Sequence, residues 1–214
     1  MTLQDGASIL DDVAAMGRAD SEGMLGHIAG LPGQVTEGWR ISRGLELPWD
    51  TPRAVAILGM GGSAMGGDLA AAIWADRISV PVQVLPGYEL PAWVGPETLV
   101  IASSKSGDTE ETLRQLETAL SRRCPVVCVS TGGAMRRVAE AAKLPLAAFP
   151  AAGAPRAALG WSLGIVAGIL ERAGLLELNE SELAAAVASA SDAAAGWAPS
   201  VPTADNPAKQ LAWS

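Results

Sequence analysis

The sequence predicts an α/β protein: a doubly wound, five-stranded parallel sheet flanked by helices, with a helical arm ahead of it. Three observations predict this. Between Arg53 and Pro150 short apolar runs alternate with amphipathic stretches. The runs are apolar at consecutive positions, as in strands covered on both faces. And 49% of the residues are hydrophobic while only 4% are aromatic, with one Phe and one Tyr, so the core consists of Ala, Val, Leu and Ile. Small aliphatic side chains suit close packing of helices on a sheet.

The elements follow in order. From Gln4 to Arg43 the pattern is helical, with Ile9, Leu10, Val13 and Met16 on one stripe, and Pro32-Gly33 is expected to break it into at least two helices. Ala54–Leu58, Val82–Leu85, Leu99–Ser103, Val126–Ser130 and Leu146–Phe149 each fit a buried strand. Helical segments Ala64–Ala75, Thr109–Ser121 and Ala134–Ala142 lie between several of them. Right-handed crossovers then leave few topologies, and order 2-1-3-4-5, the flavodoxin-like arrangement, is the expected one. Pro155–Ala173 reads as a helix apolar nearly all round, closed by Gly174. Asn179-x-x-Glu182 opens another helix with a capping-box pattern. Pro199–Pro202 reads as a linker, after which Asp205-Asn206-Pro207 begins a short helix that runs to Ser214. About two turns of helix are marginal alone, so the sequence reads as cut rather than finished.

Composition excludes several classes. Fifteen Lys and Arg against 23 Asp and Glu give a net charge of −8, and the only basic pairs are Arg122-Arg123 and Arg136-Arg137. A nucleic-acid face is not expected. An anionic ligand must be held by local donors, because the overall field repels it. Cys124 and Cys128 have neither redox nor metal spacing and read as buried free thiols. Met1–Asp5 lacks the features of a signal peptide, and the longest apolar stretch, Ala157–Leu170, is too short to span a bilayer. The expectation is a cytoplasmic protein with no membrane partner.

Two loops carry chemistry. Gly59-Met60-Gly61-Gly62-Ser63 sits between the first strand and a helix. Its glycines let backbone approach a ligand, the helix start offers free N–H groups to an anion, and Ser63 adds a hydroxyl. Gly59-x-Gly61-x-x-Ala64 also fits a dinucleotide fingerprint, but that motif needs an acidic residue ending the second strand, where Leu85-Pro86-Gly87 stands instead. The second loop, Ser103-Ser104-Lys105-Ser106-Gly107-Asp108-Thr109, supplies a ring of hydroxyls and amides, and Asp108 with Glu111 reads as a capping box. The two loops follow strands one and three, which are neighbours at the switch point where such folds bind ligands. Two phosphate-type loops at that one crevice point to a phosphorylated small molecule.

At these residues the sequence resembles the sugar isomerase (SIS) domain, and more narrowly the N-terminal portion of the bifunctional phosphoglucose/phosphomannose isomerases. Gly59–Ser63 matches that family's first loop and Ser104-Lys-Ser-Gly-Asp-Thr-Glu-Glu-Thr112 its second. Ser130-Thr-Gly-Gly133, Pro155-Arg-Ala-Ala-Leu-Gly160 and Asn206-Pro-Ala-Lys209 match later segments. The resemblance implies residues 1–50 as an arm, 51–154 as the SIS phosphosugar-binding domain, 155–198 as a helical extension, and 199–214 as a linker and truncated helix toward a missing second SIS domain. It implies that Gly61, Gly62, Ser63, Ser104, Ser106 and Thr109 bind the sugar phosphate, with Lys105 an added candidate. Arg156 would be the catalytic residue facing the reacting end. As a cation in the first turn of a helix it opposes the macrodipole, which calls for a partner: a carboxylate or an anionic enediolate.

The sequence departs from the family in placing Lys105 where Tyr is usual and Asp108 where Asn is usual. Aldose–ketose isomerisation, here of glucose 6-phosphate or mannose 6-phosphate with fructose 6-phosphate, also needs a base and a group for ring opening. In the family these come from second-domain segments absent from this sequence. The one histidine, His27, reads as a surface or packing residue of the arm. The expected protein is therefore the phosphosugar-binding part of an isomerase, inactive alone, or a stand-alone, non-catalytic regulatory module. No cofactor and no metal are expected, and a homodimer is expected by analogy.

Overall fold

A computed structural model of the chain describes residues 9–47, 50–150 and 153–213. Its helices are α1 (Val13–Ala19), α2 (Met24–Ala29), α3 (Leu31–Arg43), α4 (Gly62–Ile73), α5 (Glu110–Ser121), α6 (Gly133–Ala142), α7 (Leu159–Arg172), α8 (Glu180–Gly196) and α9 (Pro207–Trp213). The strands are β1 (Ala54–Leu58), β2 (Val82–Leu85), β3 (Thr98–Ser103), β4 (Val126–Ser130) and β5 (Leu146–Ala148). All four pairings are parallel and the order is β2-β1-β3-β4-β5. The strands predicted from apolar runs are the strands observed, to within one residue at each end.

Burial on both faces explains why those runs do not alternate. Val55, Ile57, Leu99, Ile101, Val127 and Val129 point to one side, where Ile165, Ile169 and Leu170 of α7 and Trp39 of α3 cover them. Ala56, Leu58, Val100, Ala102, Val126 and Cys128 point to the other, under Leu116 of α5 and Met135 of α6. Each fully buried Val, Leu or Ile contributes about 1.5–3 kcal/mol relative to exposure, so either face alone stabilises the sheet substantially.

The layer nearest the arm is a helix pair pressed close by glycine. Gly160, Gly164 and Gly168 recur one turn apart on α7 and face α3, and Gly38 answers from α3. A Cβ on Gly168 would lie 2.6 Å from Cβ of Ser42, and one on Gly38 would lie 2.7 Å from the Trp161 carbonyl oxygen. That approach lets the buried Ser42 hydroxyl reach the Ile165 carbonyl at 2.8 Å.

The arm differs in detail from the expectation. Its helices are separated at residues 20–23 and at Gly30, and Pro32-Gly33 lies inside the first turn of α3, because proline fits a helix start. The stripe expected to pack does so only weakly: α1 buries no residue, and Ile9 and Val13 are half exposed. Residues 4–8 of the predicted helical stretch, and Ser214, lie outside the described residues. Pro155–Ala158 forms a 3₁₀ turn before α7 instead of its first α-helical turn. Asn179 caps α8, accepting from the Glu182 amide at 2.8 Å, but Glu182 completes no box. Its carboxylate pairs with Arg77, whose guanidinium draws the Glu182 pKa down.

At the far end Asn206 accepts from the Ala208 and Lys209 amides and so caps α9, with Pro207 at its first position. The half-exposed Asp11 then joins arm to end. It accepts from the Thr203 hydroxyl and amide, each at 2.8 Å, and from buried Lys209 Nζ at 3.2 Å. Those bonds, the Thr203 hydroxyl first, hold the Asp11 carboxyl below its ordinary range. Among the described residues no helix is long and apolar enough to cross a membrane.

Candidate phosphate-binding cleft at the switch point

The crevice lies where the topology requires, beyond the C-terminal ends of β1 and β3. Met60, Gly61, Gly62, Ser63, Lys105, Ser106, Thr109, Thr131 and Pro155 line a cleft of about 450 Å³. Lys105 is the only charged residue among them.

The first loop is shaped by backbone that only glycine adopts readily. Gly61 has φ +50° and ψ −125°, and it turns the chain from β1 into α4. Gly59 is compressed: a Cβ there would lie 2.9 Å from the Ser103 carbonyl oxygen, so the first loop rests directly on the end of β3. The amides of Ser63 and Ala64 turn back onto Met60 and Gly61 carbonyls. Among the described residues the amides of Gly61 and Gly62 donate to no protein atom.

The second loop locks onto the first through two serine hydroxyls, and Ser103 Oγ donates to the Ser63 carbonyl at 2.9 Å. Ser63 Oγ accepts from the Lys105 amide at 3.1 Å, which leaves its own proton to donate elsewhere. Ser106 is arranged alike, its Oγ accepting from the Asp108 amide at 3.2 Å. Both hydroxyls are thus turned into donors, the polarity an anion needs. The Ser106 and Thr109 amides also have no acceptor among the described residues, and Thr109 is the N-cap of α5, where the helix dipole favours negative charge. Lys105 adds its cation, whose Nζ donates to the Gly153 carbonyl.

Other candidates stand elsewhere. Ser104 is fully buried, and its hydroxyl pairs with Thr109 Oγ1 at 2.8 Å and accepts from the Gly107 amide at 3.1 Å. It braces the loop from inside. Arg156 does not line the cleft; its guanidinium stands next to the rim, 3.4 Å from Glu22 of the arm, both groups largely exposed. The carboxylate partner that its position calls for is therefore present.

Asp108 corrects an expectation. It does not cap α5, whose N-cap is Thr109; Oδ1 accepts from the Ala134 amide at 2.8 Å. Its negative charge is placed on the positive end of α6, which removes much of its conflict with an anion in the cleft. The loop after β4 joins in as well. Thr131 donates through Oγ1 to the Lys105 carbonyl at 2.8 Å, and Thr131 and Pro155 add lining that loop chemistry alone did not single out. The signal for both was their place in segments 130–133 and 155–160, where the sequence matched a family but gave them no role.

The remaining reactive groups are quiet. Cys124 and Cys128 are free and buried, and burial pushes the Cys128 thiol up to about 12. Among the described residues no three His, Cys, Asp or Glu side chains cluster as a metal site.

A parallel 2-1-3-4-5 sheet with hydroxyl-rich loops at the switch point is the arrangement of a SIS-type domain. The chain is similar in sequence to the bifunctional phosphoglucose/phosphomannose isomerases. It is 34% identical over 190 residues to the bifunctional phosphoglucose/phosphomannose isomerase of Caldicellulosiruptor bescii, which covers 88% of this chain and 56% of the relative. The chain therefore spans about half the length of that relative. Two solved structures share the fold. A hypothetical protein from Thermus thermophilus superposes with a TM-score of 0.68 at 24% identity, covering 98% of this chain and 51% of that one. The tagatose-6-phosphate ketose/aldose isomerase of Escherichia coli gives 0.52 at 16% identity, covering 87% of this chain and 54% of that one. No protein-family model matches the sequence.

Proposed function

We propose that this chain binds a sugar phosphate, its phosphoryl group held between Gly61–Ser63 and Ser106–Thr109, as part of an aldose–ketose isomerase. The proposed reaction is the interconversion of glucose 6-phosphate or mannose 6-phosphate with fructose 6-phosphate; the relatives' names give the glucose and mannose phosphates. The observation that carries it is the convergence in one cleft of four unoccupied amides and two hydroxyls already turned to donate. Lys105 supplies charge, and Ser104 holds the loop in shape.

Among the described residues no Asp, Glu or His lines the cleft. Proton transfer between C1 and C2 needs a base there, so the base comes from outside this lining and the 214-residue chain alone turns over no substrate. Residues 51–154 are the binding domain in this reading, and 199–214 lead toward a second one. A cytoplasmic homodimer fits the same reading. The same lack of a carboxylate favours one alternative, a stand-alone regulatory module that binds a phosphosugar without converting it.

Binding is tested by Ser63→Ala combined with Ser106→Ala. A hydrogen bond to a charged group contributes about 1.5–3 kcal/mol, so losing two weakens binding by roughly a hundredfold or more. Glucose 6-phosphate that raises the melting temperature of the parent chain should leave the double variant unprotected. Full protection of the variant would sink the assignment.

A further inference from the structure

Three side chains of the arm converge on the short turn that carries Arg156. Glu22 pairs with its guanidinium. Gln34 of α3 donates through Nε2 to the Ala157 carbonyl at 3.1 Å. His27 of α2 lays the edge of its ring against Gly153: a Cβ there would lie 2.9 Å from Nε2 and 3.5 Å from Cδ2. Gly153 has φ +72°, and its carbonyl receives Lys105 Nζ from the cleft.

The turn has no slack on its other side. A Cβ on Gly62 would lie 2.9 Å from the Pro155 carbonyl carbon and 3.0 Å from the Arg156 nitrogen, so the turn abuts the first loop. It is clamped between the phosphate-type loop and the arm. A shift of the arm therefore alters where Arg156 stands relative to a phosphoryl group held at Gly61–Ser63. Close-packed groups pass such displacements on.

We propose that the N-terminal arm is the mount of Arg156, and that His27 is the positioning residue that sets the Gly153–Ala158 turn and with it the sugar end of the cleft. This rests on the phosphosugar reading above. His27 acts through Gly153, not on the ligand, so its removal should weaken the sugar end more than the phosphate end. The chemistry assigned to it is shape: an aromatic edge of fixed size against a glycine that leaves room for it.

The test compares two probes, glucose 6-phosphate and inorganic phosphate, by calorimetry on the full 214-residue chain. His27→Ala should weaken glucose 6-phosphate roughly fivefold, about 1 kcal/mol, and inorganic phosphate clearly less. His27→Gln, which keeps a planar polar end of similar reach, should restore most of the loss. The single imidazole also gives one unambiguous NMR signal. In the unsubstituted chain it should move further on adding glucose 6-phosphate than with inorganic phosphate, a readout that needs no variant to fold. Equal loss for both probes, loss for neither, or an imidazole signal that stays fixed while the Ser63 and Ser106 amides move overturns the proposal. If those amides stay fixed too, the phosphosugar reading itself has failed, and this inference with it.

Discussion

Replacing Gly107 by alanine tests whether the loops after β3 and β4 are interlocked as described. Gly107 has φ +78°, where an L-residue costs about 1–2 kcal/mol. Its Cβ would also lie 2.7 Å from both the Gly132 carbonyl carbon and Ser130 Oγ, and closer still to the Gly132 oxygen. Two of those three atoms are backbone, which does not rotate away, so overpacking adds about 1–3 kcal/mol. The sum is roughly 2–5 kcal/mol. For a chain of this size each kcal/mol lowers Tm by about 2–4 °C, so Gly107→Ala should melt roughly 4–20 °C lower. Gly23→Ala is the internal standard. Gly23 has φ +67° with nothing within 4 Å of a Cβ, so it incurs the backbone cost without the clash. Scanning calorimetry on the two variants isolates the steric part as their difference. A Gly107 variant that melts within error of the Gly23 variant, and still binds glucose 6-phosphate normally, would refute the interlock.

Two further outcomes follow from burial. Gly164→Ala places a Cβ 2.9 Å from the Val35 carbonyl carbon and 3.0 Å from the Trp39 nitrogen, forcing α3 and α7 apart, and should cost about 1–3 kcal/mol in denaturant unfolding; a neutral result would mean the helices are not seated on glycine. Because burial raises the Cys128 thiol to about 12 while an unfolded cysteine ionises near 9, the unfolded chain loses its proton first; stability is intact below about pH 9 and falls between there and about 12, and Cys128→Ala should abolish that part of the decline in pH-dependent melting.

The sheet was legible in the sequence because burial on both faces leaves unbroken apolar runs, a signal local to each strand. Val126–Ser130 and Ala54–Leu58 show it without interruption. The candidate loops stood out for a related reason: Gly61 and Ser106 are flagged by neighbours one or two residues away. What escaped local reading depends on distance along the chain. Asp108 looked like the cap of its own helix, and only the three-dimensional approach of α6 gives its carboxylate the Ala134 amide instead. Glu22, His27 and Gln34 meet residues more than 120 positions further on. The stripe Ile9–Val13–Met16 had the right period for packing, yet periodicity names a face without naming what lies opposite. Arg122 read as part of a basic pair, but its guanidinium gathers the carbonyls of Leu90, Pro91 and Val94, and so fixes the irregular stretch between β2 and β3.

The bonds of Asp11 to Thr203 and Lys209 have a bearing on how the polypeptide can be handled. One carboxylate near the beginning is the handhold for a two-turn helix nearly 200 positions later. Trimming the first dozen residues to obtain a tidier sample would strip buried Lys209 of its counter-charge and remove one of the holds on that distant helix. The same closeness makes those two regions a natural place to splice a peptide bridge and open the polypeptide elsewhere.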